Sequence, residues 1–284
     1  MFKSLAPGVI GVRVDLRRAA ELAGKYGFQG VHVSVEEIAR LGVEASQEIL
    51  ARAGVRPSAG GLPVDCTLPE TEFAQALDKL PALCRVAQAI GITRTSTWIP
   101  SWHDTMDFPE NYAFLKERIR RIALILRDYG IRFGLEFLGP KTLYAGKRFT
   151  FIHTMDGMLE LCHDVGTGNV GLLLDSYHWY TAHGTLADLD RLTDAEVVDV
   201  HVNDAPAGIP IDEQMDQVRA LPGETGVIGV PAFLRALSKI GYSGPVMVEP
   251  FSKRVTALPP EEAVRVTAEA LDAVWREAGL QGSH

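Results

Sequence analysis

Cysteine is scarce in this chain. Cys66, Cys84 and Cys162 are the three among 284 residues, odd in number and widely spaced. That excludes a disulfide framework and a zinc ribbon, and reduced thiols in a cytoplasmic protein are the expectation. Positive charge is also in short supply: 28 Lys and Arg stand against 36 Asp and Glu, a net charge of −8, with no basic run. Nucleic-acid affinity rests largely on phosphate neutralisation, so no nucleic-acid partner is expected. No apolar run approaches the ~18 residues of a membrane span. The stretch "LAPGVIGV" before Arg13 and Asp15 makes a poor signal peptide. No membrane partner is expected. A Pro/Gly/Ser-rich linker is missing as well, and "APGVIGV" after the first apolar run does not match the G-x-G-x-x-G of a doubly wound nucleotide fold.

What is present is regular. Short apolar runs alternate with helical patterns, and strands are expected near Phe2–Leu5, Gly30–Ser34, Arg56–Gly61, Arg94–Trp98, Arg132–Glu136, Val170–Asp175, Val197–Asn203 and Pro245–Glu249. Helices are expected between them, such as Leu16–Tyr26 and Asn111–Tyr129 behind Pro109. The stretches "KYGFQGVHV", "RAGVRPS", "AIGITRTS", "DYGIRFGLE" and "IGYSGPVMVE" share one grammar. In each a helix ends, a glycine supplies a left-handed cap, and a strand begins. Such alternation implies a parallel sheet with helical crossovers. Eight units at about 35 residues each suit one (β/α)8 TIM barrel over residues 1–284, with 46% apolar residues to fill its core.

Four of the expected strands close on ionisable residues: Glu136 in "RFGLEFLGP", Asp175 in "GLLLDSYH", His201 in "VVDVHVNDA" and Glu249 in "PVMVEPF". One such residue reads as a solvated strand end. Four on consecutive strands, at the end where barrels build their sites, read as a metal-binding quartet. Adjacent strand ends lie ~5 Å apart, so the four can converge. Three acids and one imidazole suit a hard-to-borderline divalent cation, Mn²⁺ first, with Mg²⁺, Co²⁺ or Zn²⁺ as the others. Three buried carboxylates also need a cation between them to stay ionised.

A divalent cation between two glutamates suits removal of a proton α to a carbonyl. The expected chemistry is an enediolate, with Glu136 and Glu249 as the catalytic pair on opposite faces of the carbon. Return of the proton to the same carbon gives an epimer, and to the neighbouring carbon an aldose–ketose isomer.

The segments "GLEF", "LLLDSYH", "VHVND", "RALPGETGVI" and "VEPF", in this order and spacing, resemble the xylose-isomerase-like TIM-barrel superfamily of sugar isomerases and epimerases. The likeness runs over nearly the whole chain, most specifically from Glu136 to Glu249, and its branches include ketose 3-epimerases, inosose isomerases and 3-keto-sugar epimerases. It implies the same four metal ligands and the same acid–base pair. It further implies that His178, in the D-x-x-H that starts at Asp175, binds a substrate oxygen. The chain departs from the ketose-epimerase pattern at two points. Thr142 stands where a second acid follows the first glutamate, and the first arginine after His201 is Arg219, beyond the loop "APAGIPIDEQMDQV". Both departures weaken a free ketohexose as substrate and leave room for a keto-inositol or an oxidised glycoside.

Secondary features complete the site. Arg219 is read as a substrate clamp, with Glu224 either orienting it or capping a helix. Trp98, Trp102 and His103 in "STWIPSWHD" either meet a sugar face or pack a loop, with Trp98 and His103 taken as substrate contacts. Asn203 and Asp204 either orient His201 or merely end its strand. Lys141 binds substrate or sits exposed, and His32 reads as a core or barrel-mouth residue. The leading function is a metal-dependent sugar isomerase or epimerase acting on a small sugar or keto-polyol, in a chain that can form a homo-oligomer. The alternatives are a dehydratase or other lyase of a keto-inositol or keto-glycoside, an endonuclease-like barrel, and a sugar-binding module. An endonuclease needs more histidines and a basic face, and a binding module has little use for both glutamates.

Overall fold

A computed structural model describes residues 1–61 and 65–280. Eight parallel strands close a barrel in chain order: β1 Phe2–Leu5, β2 Gly30–Val33, β3 Arg56–Gly61, β4 Arg94–Ile99, β5 Arg132–Phe137, β6 Val170–Asp175, β7 Val197–Val202 and β8 Pro245–Val248. β8 returns to β1 with Phe2 beside Pro245 and Ser4 beside Met247. The barrel expected from the alternation is the barrel observed.

Its boundaries differ from expectation by a residue or two, for local reasons. Ser34 leaves β2 to cap the helix Val35–Leu41, its hydroxyl accepting from the Glu37 amide at 3.2 Å. Asn203 leaves β7 because its amide turns to Ser176 Oγ at 3.1 Å. The helix expected at Asn111–Tyr129 runs Phe108–Asp128, started by a reciprocal Asp107–Glu110 capping box with Pro109 in its first turn. One unanticipated element is a short antiparallel pair, Trp102–His103 with Phe149–Thr150, at the mouth beyond β4. The glycine grammar holds: Gly27, Gly54, Gly91, Gly130 and Gly241 all have φ between 67° and 87°.

Strand residues of one parity face the surrounding helices. Val31, Phe133, Leu135, Leu172, Val200 and Val246 are buried in one apolar cluster with Ile38, Phe73, Ile119, Leu161, Phe233 and Leu271. Each such side chain contributes roughly 1.5–3 kcal/mol by leaving water. The other parity faces the lumen, which is unusually polar. Ser4 Oγ donates to Ser58 Oγ at 2.7 Å across β2, and Ser96 Oγ to Asp199 Oδ2 at 3.3 Å across β5 and β6. Bonds that skip strands can only cross the lumen. Glu136 shares parity with the lumen-facing Gly134, and His201 with Asp199, so both enter the barrel mouth from its wall. Among the described residues no helix is long and apolar enough to cross a membrane.

Candidate metal centre and its surroundings

Asp175 ends β6 and begins the next helix at the same time. Its Oδ1 accepts from the Tyr177 amide at 2.6 Å, capping the helix Ser176–Thr181, while Oδ2 faces the barrel axis. That helix then carries His178 back over the mouth. It can do so because residue 139 is glycine: a Cβ there would meet His178 O at 2.2 Å and Thr181 Oγ1 at 2.6 Å. The polar, aromatic run after Asp175 is therefore a capped helix start that aims two side chains at one place.

Glu136, Asp175, His201 and Glu249 come together as expected, each offering one ligand atom, all within 4.8 Å of one another. His201 Nδ1 lies 4.0 Å from Glu136 Oε1, 3.9 Å from Asp175 Oδ2 and 3.5 Å from Glu249 Oε2. Glu136 Oε1 and both ring nitrogens of His201 are buried without a hydrogen-bond partner among the described residues. Buried polar atoms are rarely left so. Burial, reinforced by Asp175 and Glu249, pushes the Glu136 carboxyl well above its usual range. Burial opposes charge on His201, but Glu249, Asp199 and Glu136 outweigh it and push its pKa up to about 10. Left to themselves, then, Glu136 and His201 favour their protonated forms. Three oxygens and a nitrogen at this spacing, those of Glu136 and His201 without partners, fit one divalent cation.

Around the quartet, Asn203 donates through Nδ2 to both oxygens of Asp175, at 3.2 and 3.1 Å, and to the Glu249 carbonyl at 3.2 Å. It orients Asp175, a member of the quartet other than the His201 considered from sequence. Asp204 does neither of the expected things. Its carboxylate accepts from the amides of Ala205, Thr225, Gly226 and Ile228 and so anchors the ends of the long loop after β7. Glu224 accepts from the Leu221 amide and from Arg254, and makes no hydrogen bond to Arg219.

Arg219 reaches the quartet from that loop and is buried. Nη1 donates to Asp175 Oδ2 at 2.9 Å and to Glu249 Oε2 at 3.2 Å. Nη2 donates to Asp216 Oδ1 at 2.8 Å and Nε to the Asp216 carbonyl at 3.0 Å. The rings of Tyr177 and Phe251 lie 4.7 and 4.6 Å from the guanidinium carbon. The remaining Nη2 hydrogen faces His178 Nε2 at 3.1 Å. Burial, then the Arg219 charge, push the His178 pKa down to about 4, so the ring is neutral at pH 7. A neutral imidazole has one lone pair for donors, yet the Gly139 amide approaches Nδ1 at 3.3 Å while Arg219 approaches Nε2. Only one can be a hydrogen bond in either tautomer. The tautomer that keeps Gly139 turns Nε2–H toward Asp216 Oδ1, 3.6 Å away, and Glu136 Oε1, 3.8 Å away.

A cavity of about 380 Å³ opens over these groups, walled by Trp98, Trp102, Leu138, Leu143 and Phe251, with Glu136, His178, Asp216, Arg219 and Glu249 in its lining. His103 is not among its lining residues; its Nδ1 accepts from the Thr105 and Met106 amides at 3.1 and 2.8 Å. Lys141 is exposed and paired with Asp212 at 2.7 Å. His32 lines a second cavity, of about 400 Å³, at the ends of β1 and β2, together with Pro7, Val12, Arg13, Glu37 and Met247. Asp216 and Phe251 were not found from sequence. Asp216 sits three residues before Arg219, a spacing that a charge-pair search would have returned.

A solved structure, a xylose isomerase domain protein from Alicyclobacillus acidocaldarius subsp. acidocaldarius, is 30% identical with a TM-score of 0.88, covering 98% of this chain and 99% of that one. The inosose isomerase of Bacillus subtilis (strain 168) is 31% identical over 159 residues, 53% of this chain and 54% of that protein. A 3-dehydroshikimate dehydratase of Pseudomonas aeruginosa is 27% identical over 148 residues, 52% of this chain and 22% of that enzyme. The chain thus spans about half the length of the curated isomerase it matches. The family model described as xylose isomerase-like TIM barrel matches residues 20–274, and the chain belongs to that family.

Proposed function

We propose that this protein is a divalent-metal-dependent sugar isomerase or epimerase, with a cyclic or open keto-polyol as substrate. The observation that carries the reading is the quartet itself: four ligand atoms within 4.8 Å, with Glu136 Oε1 and both His201 nitrogens buried and unpartnered. Glu136, Asp175, His201 and Glu249 would hold the cation, for which the order of preference from the donor set is Mn²⁺, then Mg²⁺, Co²⁺ or Zn²⁺. When bound, such an ion supplies a Lewis acid that stabilises negative charge developing on the oxygens of a substrate carbonyl.

The chain's own residues do the rest. Glu136 and Glu249 enter the mouth from β5 and from the end of β8, on either side of the space between them, so one can take a proton from the carbon next to the carbonyl and the other return it. His178 presents Nε2 to the same cavity. Its contact with Arg219 is the loosest joint of the network, and a substrate hydroxyl placed there gives Nε2–H an acceptor. Trp98, half exposed, offers a ring face to the sugar. Leu138, Leu143 and Phe251 limit water around the reacting carbon. Similarity to an inosose isomerase supports a keto-inositol-like substrate, and similarity to a dehydratase supports a second reading. In it the same proton abstraction is followed by loss of a β-substituent.

The test pairs metal with mass. Protein stripped with a chelator should lose turnover of inosose and regain it with Mn²⁺. His201→Ala should lose bound metal, since it removes the one nitrogen ligand. Turnover in D₂O should place deuterium at one carbon with the mass otherwise conserved. A product lighter by the β-substituent would select the lyase reading, and full turnover in verified metal-free protein would overturn both.

A further inference from the structure

Arg219 is the nearest cation to the quartet, yet four of its five hydrogens are already committed within the protein. Two bind ligand carboxylates, two bind Asp216 and the last faces His178. Such an arginine is a fixed counter-charge, and something must hold it in place against the pull of Asp175 and Glu249. Asp216 is the one residue that grips it twice, by carboxylate and by backbone carbonyl, through the D-x-x-R turn of the loop after β7. The Asp216 carboxylate is itself mostly buried, steadied on its other oxygen by Gln217 Nε2 at 2.8 Å.

We infer that Asp216 is a positioning residue for the metal centre: it draws the Arg219 guanidinium toward the loop, offsets its charge, and thereby sets how strongly Asp175 and Glu249 bind the cation. The inference rests on the metal-dependent reading above. Its physical basis is competition. Arg219 and a divalent cation share the lone pairs of the same two carboxylates, and a positive charge about 3 Å from a ligand oxygen also repels the ion. Without Asp216 the full guanidinium charge bears on the ligand pair. Without Arg219 that competition is gone and Asp216 has nothing to act through.

The experiment is calorimetric titration of Mn²⁺ into the chelator-stripped full chain, as wild type, Asp216→Asn, Arg219→Gln and the double variant, with thermal melting on each. Asp216→Asn should weaken Mn²⁺ binding by roughly 10-fold, while Arg219→Gln tightens it. In the Arg219→Gln background, Asp216→Asn should change affinity less than about 2-fold, the non-additivity that marks action through a shared partner. Asp216→Ser carries the same comparison should the amide not be tolerated. A merely structural role would lower the melting temperature equally in both backgrounds and leave affinity alone. Wild-type affinity in Asp216→Asn, or the same loss with and without Arg219, overturns the inference while the metal reading stands. Absence of saturable Mn²⁺ binding by the wild type overturns both.

Discussion

From β1 to β4 one strand alone, β2 with His32, has an acid or imidazole within one residue of its end, whereas from β5 to β8 every strand has one. The two halves share one architecture, the same glycine caps and the same outward apolar parity. They differ in what they bring to the mouth. The β5–β8 half brings Glu136, Asp175, His201 and Glu249 together. The β1–β4 half brings His32 with most of the wall of one cavity, and Trp98 and Trp102 to the other, whose remaining apolar wall of Leu138, Leu143 and Phe251 comes from the second half. Charges that share one ion must converge, and four consecutive strands at ~5 Å spacing bring theirs to one arc of the mouth. Walls carry no such restriction. The comparison thus separates a half that would do chemistry from a half that would shape the space around it.

The sharpest way to break that division is to neutralise one glutamate of the second half. Glu249→Gln keeps the size and one ligand oxygen but removes the base, and turnover should fall by ~10²-fold or more with much of the metal retained. Glu136→Gln should do the same. Near-normal rates in both, with every substrate hydrogen kept on carbon, would end the two-glutamate reading. Next in size is the support beneath the ligands. Asn203→Ala removes the donor to both Asp175 oxygens and should weaken Mn²⁺ by ~10- to 100-fold, as loss of a ligand's hydrogen-bond partner commonly does. Titration of the purified variant reads this directly.

In the first half the effects should be smaller and of another kind. Trp98→Ala should raise KM by about 3- to 10-fold and leave kcat within about 2-fold, the mark of a wall that contacts ground state and transition state alike. A larger fall in kcat than rise in KM would move Trp98 into the chemical half. Smallest for function is Asp107→Ala, which removes the cap of the helix Phe108–Asp128. Stability should drop by about 1 kcal/mol in thermal or urea unfolding, with kcat and KM unchanged.

Much of this was legible in the chain. Most strands, four to six residues long, follow a glycine-capped helix, and the quartet is legible because each of its members stands at the end of one. Trp98 stood out in the same way, as an aromatic at a strand end. His103 did not keep its expected place, since the turn after it consumes Nδ1. The role of Asn203 was read toward the wrong neighbour. Along the chain it lies two residues from His201, yet its amide reaches Asp175, 28 residues away.

What the sequence by itself determined are properties carried by local order: alternation, capping, parity, and therefore which side chains stand at the ends of which strands. Periodicity and capping act over a few residues, so a linear reading contains them. Only the tertiary structure decided which groups oppose one another across the mouth. Arg219 meets Asp175 from 44 residues away and Glu249 from 30, and through the same guanidinium it meets His178 and Asp216. That constellation depends on the path of one long loop tied down by Asp204. No local preference encodes such a path, because it is set by where the loop's amides find a buried carboxylate to satisfy them.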